Sequence, residues 1–554
     1  MNYLSSHNRN AAFQKAQNES FDLIIIGGGI TGAGIALDAA SRGLKTLLLE
    51  KNDFASGTSS RSTKLIHGGL RYLKQFEIAL VREVGMERAI VHRLAPHLVV
   101  SEKMLLPLVE GGTYGRLATS FGLMIYDVLA GVESEDQRIM LNKDQTQRLE
   151  PLLDGEGLKG SGLYAEYRTD DARLTIEVIK TAAAYDAISL NYAEVTDFVY
   201  AEGKVTGVRF RDCLTGTSHT ATSRYVISAA GPWVDKIRKK DGSLNGKRLH
   251  LTKGVHLVVP HEKLPVSQSI YFDVPDGRMI FAIPRGKVTY VGTTDTDYHD
   301  NLDHVITNQE DAEYLLEAVN HTFPSIELSL EDVDSSWAGL RPLIHEEGKS
   351  ASELSRKDEI FLSPNGLISI AGGKLTGYRK MAEKVVDLVA KKMRKDQGRE
   401  LPDCRTKGLI LTGGAFKDAD GVTAYKDEVF RNIQSLGLDM LDAEYLVSNY
   451  GNQANAIITA MKGMDDLNPY ASMVRAEIQF CLENELVFSL LDFCSRRSGR
   501  LYFDIESLKS LQTVILSEFQ QQLDWDESRL RKEREELELA VYEAQHFPPL
   551  KVMN

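Results

Sequence analysis

The chain has 554 residues, 43% hydrophobic and 26% charged, with a formal net charge of -13. That length suits more than one folded unit around a large core. The acidic field repels polyanions, which excludes nucleic acid as a partner and obliges any anionic substrate to find a local basic pocket.

The first twenty residues are polar and lack the apolar core of a signal peptide, and no segment nears the ~20 apolar residues of a spanning helix. Residues 21–26 form an apolar run followed at once by Gly27, Gly28 and Gly29. Residues 30–42 are small and apolar at helical spacing, Gly43 ends them, and 45–50 is a second apolar run. This β-α-β unit is the building block of a parallel sheet. Residues 173–185 read as a helix capped by Thr169 or Asp170. Residues 195–210 alternate around Gly203 as a hairpin, and 225–228 is a buried strand ending in Ala229, Ala230 and Gly231. Strand signals crowd 250–345, notably 256–259, 279–283 and 288–291. A last core strand at 367–371 breaks at Gly372 and Gly373, and a helix from about 378 to 393 follows. Residues 394–407 are charged, carry Gly398 and Pro402, and read as a linker. Beyond them 476–494 has a helical apolar stripe, and 526–542 is a charged amphipathic helix of the solvated rather than the membrane-anchoring kind. The four cysteines, Cys213, Cys404, Cys481 and Cys494, are scattered without a C-x-x-C pair. Reduced thiols in the cytosol are expected, with neither a disulfide framework nor a metal site.

Three glycine-marked segments carry chemistry. The first is Gly27-x-Gly29-x-x-Gly32 between a strand and a helix, with Glu50 ending the next strand. Such glycines let the backbone turn and approach a pyrophosphate at the helix N-terminus, with Gly28, Ile30 and Thr31 beside it, and the acid binds a ribose, with Lys51 next to it. This motif does not choose between NAD and FAD. The second runs from Thr58 through Ser59, Ser60, Arg61, Ser62, Thr63, Lys64, Leu65, Ile66, His67, Gly68 and Gly69 to Arg71 and Tyr72. Its hydroxyls suit phosphate or ribitol oxygens, its glycines admit a flat ring, and it exceeds what a minimal NAD domain needs. Taken alone it is equally a Ser-rich loop before a helix. In the third, a strand ends at Gly372 and Gly373, and a helix begins at Lys374, Leu375 and Thr376. The free N–H groups there suit the negative charge of a reduced flavin, while the bland alternative is a strand-to-helix turn with a surface lysine.

Together these segments resemble the glucose-oxidase-like flavoproteins of the D-amino-acid-oxidase type. Residues 64–72, with 339–343 (Gly-Leu-Arg-Pro-Leu) and 372–376, are similar to FAD-dependent glycerol-3-phosphate dehydrogenases of the aerobic bacterial kind. So are 292–295 (Gly-Thr-Thr-Asp), 170–174 (Asp-Asp-Ala-Arg-Leu), and the 475–477 helix with Asp492, Phe493, Arg496 and Arg497. The resemblance runs from about 20 to about 540 and leaves only the polar leader outside. It implies an α/β fold: a Rossmann-like FAD-binding domain at 20–100, 160–250 and 350–393. An inserted antiparallel substrate domain is expected at 101–159 and 251–349. The linker at 394–407 and a helical C-terminal domain at 408–554 complete it.

The resemblance also implies oxidation of sn-glycerol 3-phosphate at C2 to dihydroxyacetone phosphate, with hydride passing to FAD and electrons onward to a membrane quinone. The expected setting is the cytoplasm, peripheral at the inner face of the plasma membrane, and the expected assembly a homo-oligomer. Carried over residue by residue, the phosphate site falls on Arg341, Arg356, Lys374, Arg71 and Tyr72, cations that a phosphate dianion requires in an acidic protein. Arg341 counts with the catalytic groups as well; its bland alternative is a structural ion pair, and that of Arg356 a solvated loop arginine. The base that takes the hydroxyl proton is expected to be His67, with His256 second. The cofactor set is completed by Gly231 and Gly373. An oxidase handing electrons to oxygen is the rival enzyme, although the extra insertion of those oxidases is lacking here, and a non-catalytic flavin sensor is the rival of a different class.

Overall fold

The computed structural model describes residues 2–67, 78–112, 137–345, 358–464 and 468–549. The described residues form two sheets and a helical unit. The first sheet has the strand order Asp358–Leu362, Ile368–Gly372, Ser218–Ser228, Ser20–Ile26, Thr46–Leu49, Ile188–Leu190. Its inner neighbours are all parallel, so Ser20–Ile26 is covered on both faces, and Leu23, Ile24 and Ile25 are fully buried. Helices Ile30–Ser41, Asp171–Ala183 and Tyr378–Gln397 lie together in one core cluster with that sheet. The small residues of the first permit close packing: a Cβ on Gly34 would sit 3.0 Å from the Tyr378 ring. Asp170 caps the second helix by accepting from the Arg173 N–H.

The other face is covered by a hairpin, Ala193–Ala201 with Lys204–Asp212, turning at Glu202 and Gly203, which both have positive φ. The polar leader also lies there. It folds as a helix, Arg9–Asn18, which buries Ala12, Phe13 and Ala16 in the same cluster as the hairpin. Arg9 is buried and donates to Asp212 at 2.8 Å.

The second sheet is antiparallel except for one pair, Ser269–Asp273 with Val100–Val109. Leu249–Pro260 is its hub, flanked by Val288–Gly292 and Ser335–Ile344, and helix Gln309–Thr322 packs on it. Leu65–Ile66 and Leu158–Arg168 pair within this sheet, although the sequence reading put 20–100 and 160–250 with the flavin segments. The chain thus crosses between sheets inside the 58–67 loop.

In the C-terminal unit the expected helical stripe over 476–494 is interrupted. Helix Pro469–Asn484 ends, Leu486 takes φ 50°, and a π-helical turn Asp492–Arg497 follows. The interruption turns arginines onto the flavin domain: Arg496 and Arg497 both donate to the buried Asp53 carboxylate at 2.6 and 2.7 Å. Arg173 likewise donates to Glu485 at 2.6 Å. Helix Glu527–Gln545 leads to Phe547, which packs on the second sheet's core, and the Pro548 carbonyl accepts from the Gln309 N–H at 3.0 Å.

Candidate active site

The turn after Ser20–Ile26 exists only because its residues are glycines. Gly27 has φ 113°, and a Cβ there would lie 2.5 Å from the Ala229 carbonyl oxygen. A Cβ on Gly32 would lie 1.9 Å from the Gly27 oxygen. Gly28 N–H donates to Glu50 Oε2 at 2.7 Å, and Asn52 N–H to Oε1 at 2.9 Å. Burial pushes the Glu50 carboxyl's pKa up. The Ile30 N–H, first of its helix, donates to Ser59 Oγ at 2.9 Å, which fastens the Thr58 loop over the helix N-terminus.

Beside this turn opens a cavity of about 490 Å³. At one end it is walled by Gly27, Gly29, Ile30, Thr31, Glu50, Lys51, Thr58, Ser59 and Gly231, and beyond them by Leu65, His67, Gly373, Lys374, Leu375 and Thr376. Gly28, Gly32 and Ser60 stand behind the wall, the glycines shaping the turn and Ser60 buried with its hydroxyl 3.5 Å from the Gly57 oxygen. The wall has the glycine cradle and the helix N-terminus that a dinucleotide requires; Gly27 and Gly32 leave no room for side chains. These residues fit FAD.

Lys64 departs from the expectation. Its side chain is buried, ion-paired with Asp171 at 2.5 Å and Asp170 at 3.9 Å, and donates to the Ser60 carbonyl at 3.2 Å. A left-handed backbone at φ 56° turns it away from the wall. It fastens the loop to helix Asp171–Ala183 and is not part of the cavity wall.

The end formed by the second sheet holds the remaining candidates. His67 is set by Thr376, whose Oγ1 accepts from the His67 N–H at 3.1 Å and lies 3.2 Å from its carbonyl. Its ring meets Phe281 edge-on at 6.2 Å. Phe281 and His256 both pair with Gly292 across neighbouring strands. His256 is buried, stacked on Trp337 at 4.8 Å, with Nε2 3.0 Å from Thr63 Oγ1. Burial, then the charges of Arg341 and Lys64, pull its pKa well below 6.5, and its best-placed nitrogen is already engaged. Arg341 reaches the cavity from Ser335–Ile344 and is oriented by Thr294 O at 2.9 Å, Asp295 Oδ1 at 2.9 Å and Thr293 Oγ1 at 2.8 Å. The ion pair and the cavity position therefore coexist. Gly68, Arg71, Tyr72 and Arg356 lie outside the described residues.

Trp233, Lys236 and Asp303 are wall residues that the sequence reading did not name. Asp303 accepts from Trp233 Nε1 at 2.9 Å, pairs with Lys51, and lies 3.8 Å from Lys236. They close the cavity's Glu50 end. The Gly231-Pro232-Trp233 turn after a buried strand was the visible signal; Asp303, in an ordinary polar loop, gave none.

Residues 22–379 match the family described as FAD dependent oxidoreductase, and 404–530 match the C-terminal domain of alpha-glycerophosphate oxidase. An aerobic glycerol-3-phosphate dehydrogenase of Bacillus subtilis is 46% identical over 543 residues, 98% of each chain. One of Staphylococcus aureus is 47% identical over 546 residues, again 98% of each. A solved glycerol-3-phosphate dehydrogenase from Bacillus halodurans, complexed with FAD, superposes with a TM-score of 0.84 at 42% identity, covering 99% of this chain and 100% of that one. An L-alpha-glycerophosphate oxidase of Mycoplasma pneumoniae with FAD bound, at 19% identity and a TM-score of 0.55, shares the fold over 70% of this chain and 97% of its own. This chain belongs to the FAD-dependent oxidoreductase family, in the form that carries the C-terminal domain of alpha-glycerophosphate oxidase.

Proposed function

We propose that this flavoprotein oxidises sn-glycerol 3-phosphate at C2 to dihydroxyacetone phosphate and passes the electrons to a quinone. FAD, held by the Gly27–Gly32 turn, Glu50 and the Thr58 loop, supplies the hydride acceptor when bound. His67 takes the C2 hydroxyl proton on its imidazole, which makes loss of the hydride easier. Arg341 and Lys374, with Arg71, Tyr72 and Arg356 from the sequence, hold the phosphate by charge-assisted bonds. Asp295, Thr293 and Thr294 fix the guanidinium of Arg341 so that little orientation is lost on binding. The names of the relatives agree with this reading.

The observation that carries it is the meeting, in one cavity, of the glycine cradle with His67, Arg341 and Lys374. Among the described residues no helix is long and apolar enough to cross a membrane, and the reading has the quinone met by peripheral contact at the cytoplasmic face. Anaerobic titration tests the core of the proposal. Glycerol 3-phosphate should bleach the flavin stoichiometrically, and glycerol at the same concentration should leave it yellow. A flavin that stays oxidised with both would make the protein a sensor and end the reading.

A further inference from the structure

One segment lines the cavity lengthwise, from Ser59 at the glycine cradle through Thr63 to His67. Thr63 is gripped at both of its oxygens. Its carbonyl accepts from the Tyr290 hydroxyl at 3.2 Å, and its own hydroxyl lies 3.0 Å from His256 Nε2. The preceding carbonyl, of Ser62, accepts from Trp337 Nε1 at 3.1 Å. The imidazole that faces Thr63 cannot tilt. Trp337 stacks on one side at an interplanar angle of 12°. Gly292 presses on the ring from its own strand, so closely that a Cβ there would come 2.1 Å from Cδ2.

His256 Nδ1 is buried and has no hydrogen-bond partner among the described residues. A neutral imidazole carries one N–H and one lone pair. A buried N–H without an acceptor is the rarer and costlier vacancy, so the proton belongs on Nε2, which donates to Thr63 Oγ1. With its oxygen accepting that bond, the Thr63 hydroxyl has its proton to give, and the side it lines is the cavity.

We propose that Thr63 donates a hydrogen bond to an acceptor atom of the bound flavin's ring, and that His256 is the positioning residue that aims it. The position favours the ring over the substrate phosphate, because Thr63 sits midway along the segment between the cradle and His67. A fixed donor at the ring edge stabilises the reduced, electron-rich form more than the oxidised one. The proposal rests on the flavoenzyme reading but on no particular substrate.

The test uses substrate-free holoenzyme: the flavin midpoint potential and visible spectrum of Thr63→Val, Thr63→Ser, His256→Asn and His256→Gln. Losing one hydrogen bond should move the reduction equilibrium about 3–10-fold toward oxidised flavin. Thr63→Val should show that shift with an altered absorption band, while Thr63→Ser, which keeps the hydroxyl, stays at the wild-type potential. His256→Asn should move with Thr63→Val. His256→Gln, whose amide keeps a donor near the place of Nε2, should recover most of the difference. The double variant Thr63→Val/His256→Asn should shift no further than Thr63→Val alone. A wild-type potential and spectrum in Thr63→Val would overturn the proposal, as would additive effects or a change confined to the Michaelis constant of the alcohol. Failure of glycerol 3-phosphate to bleach the flavin would end the proposed function and leave these readouts standing.

Discussion

Arg341→Ala separates phosphate recognition from structural support. The guanidinium is half of an ion pair, with Asp295 Oδ1 at 2.9 Å, and it is also bonded to Thr294 O and Thr293 Oγ1. Removing it takes away a charge-assisted contact to the phosphate, typically about 1.5–3 kcal/mol, or roughly 10–100-fold in the Michaelis constant. It also takes the guanidinium at 2.9 Å away from Asp295, a carboxylate with only 16% of its side chain exposed and close to where a dianion binds. The second effect should be relieved in Arg341→Ala/Asp295→Asn, so the double variant is expected to regain part of the loss. Arg341→Lys keeps the charge without the planar fork and should fall between wild type and alanine. The assay is steady-state dye reduction with glycerol 3-phosphate and, separately, with glycerol. Glycerol turnover should be slow and nearly indifferent to Arg341. An equal fall with both substrates, or an unchanged Michaelis constant for glycerol 3-phosphate, would refute the phosphate assignment and leave Arg341 as a strut.

Gly32→Ala should give colourless protein, because its Cβ would lie 1.9 Å from the Gly27 oxygen; FAD released on denaturation measures it, and full occupancy would misplace the pyrophosphate. His67→Asn should keep FAD and phosphate affinity while slowing anaerobic flavin reduction by about 10²–10⁴-fold; a nearly active variant would pass the proton elsewhere. Turnover should be rapid with quinone analogues and slow in peroxide formation, and stoichiometric peroxide at a comparable rate would assign oxygen as the acceptor. Burial pushes the Asp53 carboxyl up, but Arg497 and Arg496 outweigh it and hold the pKa at about 2. Its pairing is therefore fully present above the ~3.9 of a free aspartate and is lost as pH falls through about 2. Asp53→Asn should lower thermal stability at pH 7, since breaking a buried pair costs about 3–5 kcal/mol, and should flatten the acid-unfolding curve between those values.

What could be read beforehand was what backbone geometry demands. Gly27, Gly29 and Gly32 leave no alternative to a tight turn, and the strand and acid around them supply the context, so the cradle was legible residue by residue. The His67 and Arg341 positions came through a family pattern and not through chemistry visible in their neighbours. Lys64 was counted with the cofactor set through its motif, whereas the carboxylates that bury it stand at 170 and 171, on another element. The leader hid its helix because the apolar residues it buries are just Ala12, Phe13 and Ala16, beside the charged Arg9, within a polar stretch. Asp303 and Trp233 meet across two sheets, and no local signal joins them. The break at Leu486 was missed because the apolar spacing continues through it while the backbone does not.

The flavin domain's central strand, Ser20–Ile26, also has consequences for how the chain is made. Its parallel partners include Ser218–Ser228, and that strand in turn awaits Ile368–Gly372, while Asp53, in the loop beside Glu50, awaits Arg496 and Arg497. Nothing in the first hundred residues can close a cofactor site as it leaves the ribosome. Contacts of such sequence separation fold slowly and leave apolar strand faces waiting. Cofactor capture is accordingly a late event of biogenesis, and polypeptides released short of the final hundred residues should be held by chaperones or degraded without ever turning yellow.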